Sequence, residues 1–174
     1  MKKIITICLL IAATLSVNAQ QKPTKEQTLA YLTKTFKLTE GEIVINKASN
    51  KYSIEVNEFS ENKIVNKIKL YDWVKDYSYK DAISYSSKTY SDLKWEDVIT
   101  IELSAYSENW LNDNLMSITI KFSSKYKYKV DDSSQYFFND FKISVIKSKA
   151  ESFKKALERL VEIAKEENKN PFEK

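Results

Sequence analysis

The feature that most constrains the fold is the segment from Ser148 to Asn168, near the end of the chain. Its apolar residues recur at steps of three and four, so at roughly 100° per residue they share one side of an amphipathic helix. Ser148 and Glu151 have the spacing of a capping box, which predicts that the helix begins there. Such a helix must bury its apolar face, and the preceding chain must supply the covering surface. The apolar residues are Phe153, Ala156, Leu157, Leu160, Val161, Ile163 and Ala164.

A shorter helix is predicted near the start of the chain. Thr24 and Gln27 again have capping-box spacing, and apolar residues follow on one face as far as Phe36. Gly41, the only glycine, marks the turn that ends this part. Because the helix is short and polar on its far side, we place it at the rim of the domain.

Between residues 42 and 147 the apolar period changes to two, which predicts strands. Turn-forming residues at 60–62 and 131–134 separate successive runs, and six or seven antiparallel strands result. The pattern fails between Trp73 and Trp95, where we expect either a short strand around Ala82 to Tyr85 or a long loop. The residues predicted to face inward include Ile43, Ile45, Tyr52, Ile54, Val56, Ile64, Ile68, Leu70, Ile118, Ile120, Phe122, Phe137, Phe141, Ile143 and Val145.

The first nineteen residues have the organisation of a signal peptide. Lys2 and Lys3 precede an apolar stretch, and Val17 and Ala19 supply the small residues of a cleavage site. The apolar stretch is shorter than the roughly 20 residues that a membrane span needs. We therefore predict a signal peptide at 1–19, a single domain at 20–174, and a periplasmic or secreted protein with no membrane span.

The helix–strands–helix order, together with particular short sequences, resembles a known kind of protein. The residues concerned are Asn18-Ala19-Gln20, the opening at 24–28, the segment at 155–160 and Asn170-Pro171-Phe172. They are similar to those of small uncharacterised secreted proteins of Bacteroidetes-type bacteria with a pleckstrin-homology-like barrel. The resemblance implies an α+β fold, an antiparallel barrel of six or seven strands capped by the C-terminal helix, and implies no substrate. The alternative is a cystatin-like curved sheet wrapped on two helices.

Composition excludes several kinds of chemistry. The chain has no histidine, and Cys8, its only cysteine, lies within the signal peptide. The mature chain therefore has no disulfide, no Ser-His-Asp triad, no cysteine nucleophile and no ordinary zinc site. One glycine cannot build a phosphate-binding loop or a dinucleotide fingerprint, so we expect no cofactor. Loss of Lys2 and Lys3 lowers the net charge from +4 to +2, which argues against a nucleic-acid partner.

Composition does not exclude chemistry that uses carboxylates. Glu96-Asp97 and Asp131-Asp132 are the tightest acidic pairs, and they allow a glycosidase-like pair or a calcium site. The alternative, which we favour, is that they face water at a strand start and in a turn, since sequence neighbours in a strand point to opposite faces.

Two candidate binding sites remain. Trp110, in a polar segment, is either a stacking platform for a sugar ring or partner side chain, or a lid over the core. Lys125, Lys127 and Lys129 alternate with Tyr126, Tyr128 and Val130, so they share one face of a strand. They are either an anion-binding ladder or, as we favour, guards on an edge strand that discourage pairing with another chain.

These observations lead to two functional hypotheses. The first is a non-catalytic binding module that recognises a protein, a peptide or an envelope component. The second is a carboxylate-based hydrolase that acts on envelope glycans. Two carboxylates facing each other in a cleft would favour the hydrolase, whereas an exposed sheet edge or aromatic patch would favour the binding module.

Overall fold

The computed structural model describes residues 22–46, 51–71, 73–74, 78–79, 84–106 and 110–169, and the predicted signal peptide lies outside them. The helices are α1 (Lys25–Phe36) and α2 (Ala150–Glu167). The strands are β1 (Ile43–Asn46), β2 (Lys51–Phe59), β3 (Lys63–Tyr71), β4 (Trp73–Val74), β5 (Ser78–Tyr79), β6 (Ser84–Ser91), β7 (Val98–Ala105), β8 (Trp110–Leu111), β9 (Leu115–Val130) and β10 (Tyr136–Ile146).

The main sheet is antiparallel and curls into a half-barrel. Its strands follow the order β10-β9-β6-β3-β2-β1-β8, and β7 also pairs with β9. The 16-residue β9 is long enough to pair with β7 through its first half and with β6 through its last residues. An α+β fold built from an antiparallel curled sheet with a helix near each end is therefore confirmed.

Both helices pack against each other and against the sheet. The capping box of α1 is formed, since Thr24 accepts from the Gln27 amide and Gln27 reaches back to the Thr24 amide. The prediction that α1 lies at the rim is wrong: Leu32 and Phe36 are fully buried, and the Phe36 ring lies 6.2 Å from that of Phe153 in α2. The core that covers the apolar face of α2 thus includes α1.

The second capping box is not formed. Ser148 lies inside a 3-10 turn (Lys147–Lys149), and α2 begins two residues later, at Ala150, with Lys149 as its cap and no side-chain hydrogen bond there. A residue already in a helical turn does not have the extended backbone that a capping hydroxyl needs. The apolar face of α2 was correctly predicted, and Leu160 is fully buried.

Bulges change which residues face the core. In β2 the register shifts between Ile54 and Val56, and beyond it Asn57 and Phe59 are buried whereas Val56 is only half-buried. In β1 the prediction is wrong without a bulge in its pairing with β2, since Val44 is buried and Ile43 is 47% exposed. A strict period of two cannot show an irregularity that moves the remaining side chains to the other face.

The segment that carries Lys125, Lys127 and Lys129 is not an edge strand. β10 pairs with it on one side, through Phe137 opposite Lys127, and β6 pairs with it on the other, through Thr89 opposite Lys129. The explanation of these lysines as guards of an edge is therefore wrong. The strand on this side, β6, comes from the stretch between Trp73 and Trp95, where the alternation failed. Of the two alternatives given for that stretch, a strand is found at Tyr85, and Ala82 and Tyr77 lie outside the described residues.

Candidate functional site

The structure does not bring the predicted binding residues together. Trp110 lies in β8, where it pairs with Asn46 of β1, and its side chain is outside the described part of the structure. Lys127 forms a salt bridge with Asp92 at 2.6 Å, and Lys129 approaches Asp132 at 3.6 Å. Lys125 is exposed. With two of the three ammonium groups paired to carboxylates, the lysine face is less positive than the sequence predicts.

One residue of each acidic pair accepts hydrogen bonds from a distant part of the sequence. Asp131 accepts the backbone N–H of Ser87 at 2.5 Å and the hydroxyl of Ser86 at 3.1 Å, which ties the β9–β10 turn to β6. Glu96 accepts from the side chain of Asn168 at 2.8 Å, at the end of α2. The described residues contain no group of three or more carboxylates placed to hold a metal ion. The hydrolase hypothesis stays a prediction.

Two other features stand out as candidate sites, and the first is a cavity of about 310 Å³, here called the concave cavity. One side is formed by β2, β3 and β6, the other by β9 and β10, and Phe36 of α1 contributes its ring. Among the residues that the structure describes, no aspartate or glutamate lines it, whereas two lysines do, Lys88 and Lys142. The lining residues are Phe36, Tyr52, Asn66, Ile68, Leu70, Lys88, Tyr90, Tyr106, Ser117, Lys142, Ile143 and Ser144.

Hydroxyl groups form a connected network on the wall of the concave cavity. The Tyr52 and Tyr106 hydroxyls are hydrogen-bonded to each other, and the Ser144 hydroxyl donates to Tyr106 at 3.4 Å. Burial, and then the neighbouring Tyr106 hydroxyl, raise the pKa of Tyr52, so it stays a neutral phenol. Asn66 is also held in place, because its amide donates to the buried Asn57 at 2.6 Å. These polar groups are therefore already ordered by the fold.

A shallower depression extends the concave cavity along β10. It shares Lys88, Tyr90 and Lys142 with the cavity, continues past Tyr128 to Phe138, and also includes the carboxylate of Asp140 in its lining. The two lysines therefore lie where the deeper and shallower parts join.

The second feature is three consecutive exposed aromatic residues, here called the aromatic edge: Tyr136, Phe137 and Phe138. They are 49%, 55% and 45% exposed. β10 pairs with β9 along this segment, and no strand among the described residues pairs with its other side. The Phe138 ring packs edge-on against Tyr128 at 5.5 Å, so this residue is ordered although it is exposed. Backbone hydrogen-bonding groups and aromatic side chains are thus presented together.

A bulge explains why the sequence did not reveal the aromatic edge. Phe138 lies opposite Tyr126, but Asp140 lies opposite Lys121, so β9 contains extra residues between the two pairs. Before the shift, the even-numbered residues of β10 share the core-facing side of β9. After it, the odd-numbered residues do. Phe137 therefore lies opposite Lys127 and is exposed, although it has the same spacing as the buried Phe141 and was predicted to face inward.

Comparison with known proteins adds no relative: no family model, curated protein or solved structure matches the chain. Among the described residues, no helix is long and apolar enough to cross a membrane.

Proposed function

We propose that the protein is a non-catalytic binding module of the periplasm or the extracellular space, and that it binds a protein or peptide through the aromatic edge. The observation that carries the proposal is the exposure of Tyr136, Phe137 and Phe138 on a strand that has a partner on one side only.

An open sheet edge with exposed aromatics suits the addition of a strand from a partner. The backbone of the added strand pairs with the edge, and alternate side chains contact its neighbours. Proteins usually protect an edge with lysine, proline or a very short strand. From Tyr136 to Phe138 the edge has none of these, and aromatic residues are the type most enriched at protein interfaces.

The aromatic edge offers side chains on both faces of the sheet. Tyr136 and Phe138 lie opposite Tyr128 and Tyr126 on one face, whereas Phe137 lies opposite Lys127 on the other. A partner strand at this edge would extend both surfaces. Packing against two aromatic faces and pairing with the backbone supports specific binding better than a single exposed side chain does.

The finer description of the fold is also a proposal. The order of helix, antiparallel strands and C-terminal helix supports a pleckstrin-homology-like barrel. The burial of α1 beside α2 supports the alternative, in which a curved sheet wraps two helices.

The periplasmic or secreted location depends on the signal peptide at 1–19, and mass spectrometry of exported protein tests it. The proposal predicts a mature chain that begins at Gln20 or Gln21.

The binding proposal is tested by affinity capture from envelope extract with three immobilised proteins: wild type, Phe137→Ser and Ile99→Ser. Ile99 is a matched control, because it is 58% exposed and lies on β7. We expect a protein or peptide that is retained by wild type and Ile99→Ser and lost by Phe137→Ser. Binding should also slow hydrogen exchange of the amides from Tyr136 to Phe138. Equal retention by all three proteins, or specific retention of a glycan or lipid instead, contradicts the proposal.

A further inference from the structure

The concave cavity has a chemical character that the aromatic edge lacks. We propose that it binds a small anionic amphiphile, a carboxylate with a short hydrocarbon tail, with the anionic head at Lys88 and Lys142 and the tail against the apolar wall. The concave cavity differs from the aromatic edge, although the shallower depression joins the two at Phe138, and this proposal does not depend on the proposed function.

The two lysines that line the concave cavity favour an anionic ligand. Among the described residues neither Lys88 nor Lys142 forms an ion pair, whereas Lys25, Lys127 and Lys129 do. Lys88 is half-buried, and among the described residues no carboxylate lines the concave cavity itself, whereas Asp140 lines the shallower depression that shares both lysines. Hydrogen bonds from an ammonium to a carboxylate are stronger than those between neutral groups. Because neither lysine is paired with Asp140 in the described part of the chain, a ligand carboxylate would supply the counter-charge that the lining of the concave cavity lacks.

The apolar wall selects a hydrocarbon. Ile68 and Leu70 lie on the same face of β3, both are half-buried, and neither belongs to the two apolar clusters that form the described core. Phe36 and Ile143 continue the wall from α1 and β10. Removing such surface from water is favourable in proportion to its area. The Tyr106 hydroxyl accepts from Ser144, and when it also accepts from Tyr52 its own O–H is free to donate to an oxygen of the ligand.

The volume limits the size of the ligand. At about 30 Å³ for each water-sized group, a cavity of about 310 Å³ holds roughly ten such groups. It lies at the small end of ligand pockets. Octanoate has a head and a tail of this size, and it is the probe that we would use. Octan-1-ol and octylammonium have the same tail with a neutral and a positive head, so the three compounds separate the contribution of charge from that of the hydrocarbon.

Isothermal titration calorimetry of the purified protein tests the proposal. We expect octanoate to bind with one-to-one stoichiometry, octan-1-ol to bind much more weakly and octylammonium not to bind. Lys88→Gln and Lys142→Gln should each weaken octanoate binding roughly tenfold to a hundredfold, the usual effect of losing a charge-assisted hydrogen bond. Lys121→Gln is the matched control, because it removes one exposed lysine of β9 outside the cavity lining. Circular dichroism should show the same fold for all three variants.

Three results would overturn the proposal. Equal binding of octan-1-ol and octanoate would show that the lysines contribute nothing. An equal weakening of octanoate binding by Lys121→Gln would show that the effect comes from the general surface charge and not from the cavity. Displacement of octanoate by an equal concentration of inorganic phosphate would show that an anion alone is recognised, without the hydrocarbon.

Discussion

The two halves of β10 have the same partner strand but opposite environments. From Phe141 to Val145 the strand is part of the core, with Phe141, Ile143 and Val145 buried. From Tyr136 to Phe138 it carries equally large apolar side chains, which are about half exposed. Both halves pair with β9, so backbone pairing does not explain the difference. One half lies in the core, and the other leaves three aromatic side chains about half exposed at the surface.

The largest expected effect is at Phe141, in the buried half. Its ring stacks on Tyr90 at 4.6 Å and on Phe122 at 5.9 Å. Phe141→Ala should lower the free energy of unfolding by about 3–5 kcal/mol, because it leaves a cavity among these rings. Urea denaturation should show a lower midpoint with an unchanged slope. A loss below about 1 kcal/mol would mean that the two halves do not differ as described.

Alkaline pH should weaken the buried half through Tyr90 and Tyr126. Burial is the main cause that raises the pKa of both phenols above the ordinary value of 10.0. Their contribution to stability is therefore fully present below pH 10 and is lost as the pH rises through the folded pKa. Each phenol should cost about 1.4 kcal/mol for every pH unit above 10, as long as the folded pKa is not reached.

The measurement is denaturation at a series of alkaline pH values, together with the ultraviolet absorbance of tyrosinate. We expect exposed tyrosines to ionise first and the buried pair to ionise with unfolding. If stability does not change over the first pH unit above 10, the two phenols are not buried in solution.

A smaller effect is expected at the boundary between the halves. The Tyr126 hydroxyl donates to the carbonyl oxygen of Asp140 at 2.6 Å, beside the register shift between β9 and β10. Tyr126→Phe keeps the ring and removes this bond, so it should cost about 0.5–1.5 kcal/mol. Chemical denaturation gives the value, and hydrogen exchange should be faster around Asp140. Tyr128→Phe is the comparison variant, and a larger loss there would contradict this role of Tyr126.

The smallest effect on stability is expected in the exposed half. Phe137→Ser should change the free energy of unfolding by no more than about 0.5 kcal/mol, as is usual for exposed positions. Together with Phe141→Ala, this variant compares the two halves of one strand by the same denaturation experiment. A loss similar to that of Phe141→Ala would show that the aromatic edge is needed for folding and would remove the main support for a binding role.

The sequence predicted the elements of the fold better than their orientation. Periodicity located both helices and most strands, because burying one face imposes a repeat that can be counted. It failed at Val44, at Val56 and at Phe137. In the last two cases a bulge changes the side of the sheet that the following residues occupy, and the residue types around the bulge do not indicate its presence.

The candidate sites were harder to predict than the fold. Lys125, Lys127 and Lys129 form a regular local pattern, but their meaning depends on which strands lie beside them. Lys88 and Lys142 are in different strands, 54 positions apart in the sequence, and only the curl of the sheet places them around one cavity. Such a site is a product of long-range pairing, which a single sequence does not show.

The packing of α1 on α2 has a consequence for how the chain is made. The two helices are held together by Lys25 and Glu167, which lie 142 positions apart and 2.6 Å from each other, and by Arg159, which donates to the Pro23 carbonyl at 3.0 Å. A ribosome releases α1 first and α2 last. Domains fold as units during synthesis, and this unit lacks one of its two helices until α2 has emerged. Phe36 therefore cannot be buried against Phe153 until the whole sheet and then α2 have been synthesised, so the core closes only after all its strands have been made.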